Sequence, residues 1–149
     1  MKKLLLLLIS TLTIISCSET VEAERIPWTS SSEDAKVLFD VFLTNQEIRR
    51  AYPAGQETLM DSILKLDPNF AMAKLNTSWN WPNTDNEMRR KRLLSAFEDR
   101  ENVSDLEKRI IIANFEGRIN GNGIKYDEIL DSLVNDYPQY YQLRLWSGT

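Results

Sequence analysis

The sequence predicts an all-α domain of stacked antiparallel helix pairs, and three observations predict it. Apolar residues recur at three- and four-residue spacing in segment after segment. Capping signals of the form Ser/Thr-x-x-Glu and Asp-Pro, Tyr-Pro and Asn-Gly breaks divide those segments at short intervals. No two runs of alternating hydrophobicity are joined by a hairpin turn, so no strand pair is expected.

The chain opens on an export signal. Lys2 and Lys3 give a positive start, and Leu4 to Ile9 with Leu12, Ile14 and Ile15 give an apolar run too short for a stable membrane span. Ser16 is the small residue before Cys17, the single cysteine of the chain. The run Ile14-Ile15-Ser16-Cys17 resembles the lipobox of bacterial lipoproteins. That resemblance implies cleavage after Ser16, lipid (a palmitate-type acyl group) on Cys17, and a place on the outer membrane or the periplasmic face. Residues 1–16 are read as the signal and residues 17–32 as a polar tether, with Ile26 and Trp28 docking on the first helix.

The helices follow in order. Ser31 with Asp34 forms a capping arrangement for a first helix carrying Ala35, Leu38, Phe39, Phe42 and Leu43. Pro53 and Gly55 break it. A second helix carries Leu59, Met60, Ile63, Leu64 and Leu66. Asp67-Pro68 then stops that helix and starts the third, with Asp67 as N-cap and Pro68 at the first helical position. The third helix carries Phe70, Ala71, Ala73, Leu75, Ser78 and Trp79 and ends at Pro82. Thr84-x-x-Glu87 opens a fourth, where Met88, Leu93, Leu94 and Phe97 stand among Arg89, Arg90, Lys91 and Arg92. Ser104-x-x-Glu107 opens a fifth, with Leu106, Ile110, Ile111, Ala113, Asn114 and Phe115. Asn120-Gly121-Asn122-Gly123 is a loop. Tyr126, Ile129, Leu130, Leu133 and Val134 make a sixth helix, ended by Tyr137-Pro138, and Tyr140 to Trp146 begins a last one.

Composition bounds the chemistry. The 149 residues carry a formal charge of −4 and no histidine. Cleavage after Ser16 leaves 133 residues and takes the charge to −6. The acidic balance argues against nucleic acid. The lack of histidine removes Ser-His-Asp and Cys-His catalysis, the usual zinc sites and an imidazole switch. A single cysteine makes no internal disulfide. Glu98-Asp99-Arg100-Glu101 reads as a charged helix end rather than an acid–base pair. Asp127, Glu128 and Asp131 lack the spacing and glycine of a calcium loop. Neither a metal nor a cofactor is expected, and the chain is not read as an enzyme.

Asp67-Pro68-Asn69-Phe70 and Tyr137-Pro138-Gln139-Tyr140 match in kind, and their prolines lie 70 residues apart, twice 35. With Ala71, Ala73, Ser78 and Trp81 after Pro68, and Gly148 after Pro138, the stretch 33–149 resembles the tetratricopeptide repeat family. The resemblance implies a helical solenoid whose first helices line a groove for a peptide or neighbouring subunit. Lys74, Asn76 and Trp81 are the expected groove residues. Gly148 falls where that family packs a small residue inside a first helix, so the domain is expected to continue past Thr149. The functional expectation is a membrane-anchored interaction scaffold. The alternatives are the recognition arm of a longer exported enzyme or receptor, and a glycan- or solute-binding lipoprotein.

Overall fold

The computed structural model describes residues 24–49, 55–77 and 86–148. Cys17, the Pro53 break, Ser78, Trp79, Trp81, Pro82 and the Thr84 capping signal lie outside the described residues.

Among the described residues there are seven α-helices: α1 (Glu33–Arg49), α2 (Gln56–Leu66), α3 (Ala71–Thr77), α4 (Asn86–Glu98), α5 (Asp105–Arg118), α6 (Gly123–Asp136) and α7 (Tyr141–Ser147). A 3-10 turn, Asp99–Asn102, continues α4. The chain is all-α, as its periodicity predicts. α1 packs on α2, α3 on α4 and α5 on α6, and successive pairs meet through α2 with α3, α4 with α5 and α6 with α7.

The start and stop signals explain these boundaries. The Ser104 side chain accepts the Glu107 amide while the Glu107 carboxylate accepts the Ser104 amide, a full capping box at α5. Asn122 caps α6 by accepting the Lys125 amide, and Gly121 supplies the left-handed backbone (φ 68°) that folds α6 back on α5. At α1 the cap is Ser32 rather than Ser31: its hydroxyl accepts the Ala35 amide at 3.2 Å.

Asp67-Pro68 does not begin a helix at the proline. Residues 67–70 make a turn, with the Phe70 amide on the Asp67 carbonyl and the Asn69 amide on Asp67 Oδ1. An aspartate that bonds the backbone two residues on favours this turn over a helical start. Tyr137-Pro138 does the same, with the Tyr140 amide on the Tyr137 carbonyl at 3.2 Å. Both matched motifs therefore adopt one shape and set an aromatic, Phe70 or Tyr140, immediately before the next helix. Gly148 closes α7 as a left-handed cap (φ 75°), and a Cβ added there meets nothing within 4 Å. In this structure its role is backbone freedom, not close helix packing.

The core is one cluster. Phe39, Phe42, Met60, Ile63, Phe70, Met72, Leu93, Ile111, Leu133 and Leu143 are fully buried. Each contributes roughly 1.5–3 kcal/mol on burial. Phe39 sits at a crossing of rings, 4.9 Å from Phe70 and 5.9 Å from Phe42. Leu143 is covered by the packing of α7 on the sixth helix, whereas Leu145 stays exposed.

The stretch expected to be tether differs most. From Glu24 onward it is a packed strap. Ile26 and Trp28 dock as expected and are buried. The hydroxyls of Thr29 and Ser30 are fixed by carboxylates far along the chain. A run of donors beside two apolar side chains has more to gain from burial than a tether does.

Candidate functional site

Two adjoining features lie where the odd-numbered helices face one another. The first is a pocket of about 230 Å³. Its lining comes from α1 (Gln46), α3 (Met72, Leu75, Asn76), α5 (Ile110, Asn114), α6 (Tyr126, Leu130) and α7 (Trp146). The walls are apolar, and the polar groups are three carboxamides and the Tyr126 hydroxyl. Burial, helped by the charge of Asp127, raises the Tyr126 pKa and keeps that hydroxyl neutral.

Asn114 is the pocket's defining polar group. It is 5% exposed, and its amide donates to the Ile110 carbonyl at 2.9 Å. Its side-chain oxygen has no hydrogen-bond partner among the described residues. A buried acceptor without a partner costs roughly 1–3 kcal/mol.

The second feature is the strap's seat. Trp28 meets Phe39 of α1 edge-on at 5.3 Å and lies 6.3 Å from Trp146 of α7. Its ring nitrogen donates to Asp40 Oδ1 at 3.2 Å. Arg25 donates to the Thr44 hydroxyl and lies 4.0 Å from both Asp40 and Glu47. Thr29 gives its amide to Glu107 Oε1 at 2.9 Å and its hydroxyl to Oε2 at 2.5 Å. Glu107 is fully buried, and Oε2 also accepts the Ser104 amide and hydroxyl. The Ser30 hydroxyl and the Ser31 amide both donate to Asp67 Oδ2. Burial pushes the Asp67 pKa up, but hydrogen bonds from Ser30, Ser31 and Asn69 outweigh it and hold the carboxyl below its ordinary value. At the far end the Glu24 amide donates to the Gln139 carbonyl, and the Tyr141 hydroxyl donates to Glu47 across the gap between α1 and α7.

Of the residues expected in the groove, Asn76 lines the pocket, and its amide also donates to the Met72 carbonyl. Lys74 turns to the 3-10 turn, with its ammonium 2.5 Å from Asp99 Oδ2. Trp81 and Cys17 lie outside the described residues. Gln46, Asn114, Tyr126 and Leu130 reach the pocket without having been singled out for it. Asn114, Tyr126 and Leu130 stand in the helical periodic pattern, which does not tell a pocket wall from core, and Gln46 carries no sequence signal. Asp67 and Glu107 carry second roles, on the strap, that a capping pattern hides. The basic run splits around α4: Arg92 donates to the Thr77 carbonyl, while Arg90 and Lys91 are exposed.

Another depression, lined by Thr29, Ser30, Ser31, Asp67, Asn69, Asp99, Asn102 and Val103, adjoins the strap. Its two carboxylates are already engaged, by the strap and by Lys74. Among the described residues no cluster of three or more metal-ligating side chains occurs, and no helix is long and apolar enough to cross a membrane. Comparison with protein-family models, curated proteins and solved structures gives no match.

Proposed function

We propose that the chain is a non-catalytic binding module of tetratricopeptide type, held at a bacterial cell envelope by lipid on Cys17. Its pocket takes an apolar side chain of a partner polypeptide. The observation that carries this reading is Asn114: a buried acceptor without a partner, set in an apolar pocket, suits a backbone or side-chain N–H that arrives with an apolar group. Six of the nine lining residues come from α1, α3 and α5, the first helix of each pair, which supports the repeat reading. The lining holds carboxamides and apolar groups rather than a nucleophile beside a base, which supports binding over chemistry.

A glycan is the second reading, because Trp146 and Tyr126 offer rings and the carboxamides offer hydrogen bonds. The polypeptide is preferred. A sugar brings many hydroxyls, and six of the nine lining residues are apolar or aromatic.

The test is a photo-crosslinking residue in place of Tyr126, in cells, with and without Leu75→Trp to fill the pocket. One polypeptide adduct, lost on filling and absent from a crosslinker at exposed Val37, is expected. An adduct that survives filling refutes the pocket. Heat on titration with envelope glycans and no adduct would favour the sugar. Intact mass of the envelope-extracted protein tests the anchor: a first residue of Cys17 without added lipid refutes it.

A further inference from the structure

We propose that residues 24–31 are a displaceable occupant of a peptide seat. The seat takes, from a partner polypeptide, an extended segment of the same chemistry: a cation, a tryptophan three residues on, then hydroxyl or further cationic residues. The proposal rests on the reading of the chain as a polypeptide-binding module, but it uses a different surface, which meets the pocket at Trp146.

The strap belongs to no helix pair. Its backbone is non-helical, and its amides at Glu24, Thr29 and Ser31 donate outward, to Gln139, Glu107 and Asp67. Its one local link is the Ser30–Ser32 turn. This is how extended peptides are held on a scaffold: main-chain donors fix the direction and side-chain slots choose the sequence. The main slot is the space between Phe39 and Trp146, filled by Trp28.

The seat presents acceptors almost throughout. Asp40, Glu47, Asp67 and Glu107 line it, together with the Thr44 hydroxyl and the Gln139 carbonyl. Against four carboxylates the strap brings one cation, Arg25, held at 4.0 Å from its two acids. Asp67 and Glu107 receive only neutral N–H and O–H donors from it. A partner segment with Lys or Arg near the Ser30 position adds the charge the strap leaves out, and charge-assisted bonds are roughly twice as strong as neutral ones. That difference lets an outside segment compete with one already tethered in place. Trp146 belongs to both the slot and the pocket wall.

The test uses a fluorescent eight-residue peptide, Glu-Arg-Ile-Pro-Trp-Thr-Ser-Ser, read by anisotropy against the full chain in detergent. In wild type the strap competes. In Trp28→Ala it has lost its slot residue, and the peptide is expected to bind at least ten-fold tighter. Binding should strengthen when the first Ser of the peptide becomes Arg, and weaken ten-fold when Glu107→Gln is added to the chain. Equal binding to wild type and to a folded Trp28→Ala chain overturns the proposal. Should that variant lose its helices by circular dichroism, Thr29→Val/Ser30→Ala takes its place. Unfolding of both makes the strap an integral part of the fold and also overturns it. A strap-exchanged dimer, seen by light scattering, assigns the seat to a second copy and overturns the outside partner. The pocket adduct at residue 126 does not depend on these results, so the two readings fail separately.

Discussion

Replacing Glu107 by glutamine keeps shape and removes charge, which isolates what the buried carboxylate does. Four donors converge on it: the amide and hydroxyl of Thr29, and the amide and hydroxyl of Ser104. One of them reaches Oε1 and three reach Oε2. The least costly glutamine rotamer therefore keeps its oxygen at the Oε2 position and turns its NH2 toward the Thr29 amide. That leaves one part-buried N–H without its acceptor, about 1 kcal/mol, and reduces three charge-assisted bonds to neutral ones, about 1 kcal/mol each. Relief from burying a charge offsets part of this. The expected net loss is about 2–4 kcal/mol, a large share of a domain stability of about 5–15 kcal/mol. Urea unfolding followed by far-UV circular dichroism measures it, at unchanged m-value. Thr29→Val alone should cost about 1–2 kcal/mol, and the double variant should show coupling of at least about 1 kcal/mol. Coupling below about 0.5 kcal/mol would mean that Glu107 only caps α5, and the account of the strap would be wrong.

Three further outcomes follow from the same geometry. Asn114→Leu deletes a buried acceptor without a partner. It should leave stability unchanged or raise it by up to about 1 kcal/mol, while abolishing the residue-126 adduct; a loss above about 2 kcal/mol in a thermal melt contradicts an acceptor without a partner. Asp67 has a folded pKa below its ordinary value, so its contribution is complete above the unfolded value of about 3.9 and is lost as pH falls through the folded one. The stability gap between wild type and Asp67→Asn should accordingly be flat above about pH 5 and shrink below about pH 4; a gap that grows in acid has the sign wrong. Gly121→Ala meets no atom within 4 Å but must hold φ 68°. It should cost about 1 kcal/mol in urea unfolding from backbone strain alone, and a neutral result would show that the α5–α6 turn adapts.

The helices were legible because each rule behind them is local. Ser104 and Glu107 are three residues apart, and so are the groups they satisfy. Asn122 and Gly121 act on their own turn. The two proline motifs were legible as a repeat, but not as turns, because helix start and Asx-turn use the same Asp-Pro pair until the next hydrogen bonds are known. The strap was not legible. Thr29 finds its partner 78 positions away, and polarity in a sequence does not say whether a donor will meet water or a carboxylate. Asn114 stands among apolar neighbours in the sequence. Only the meeting of five helices shows that it lines a pocket and that its oxygen is buried without a partner among the described residues.

The strap also fixes an order of events during folding. Residues 24–31 leave the ribosome before the acceptors that hold them. Glu107 comes 78 positions after Thr29, and the Gln139 carbonyl more than a hundred after Glu24. Helix pairs close over short loops and form early, whereas contacts this distant pay for loop closure and form late. The first segment of the domain to be made is thus the last to be seated. A strap that docks after the rate-limiting barrier leaves the folding rate nearly untouched by Thr29→Val and places the loss in faster unfolding.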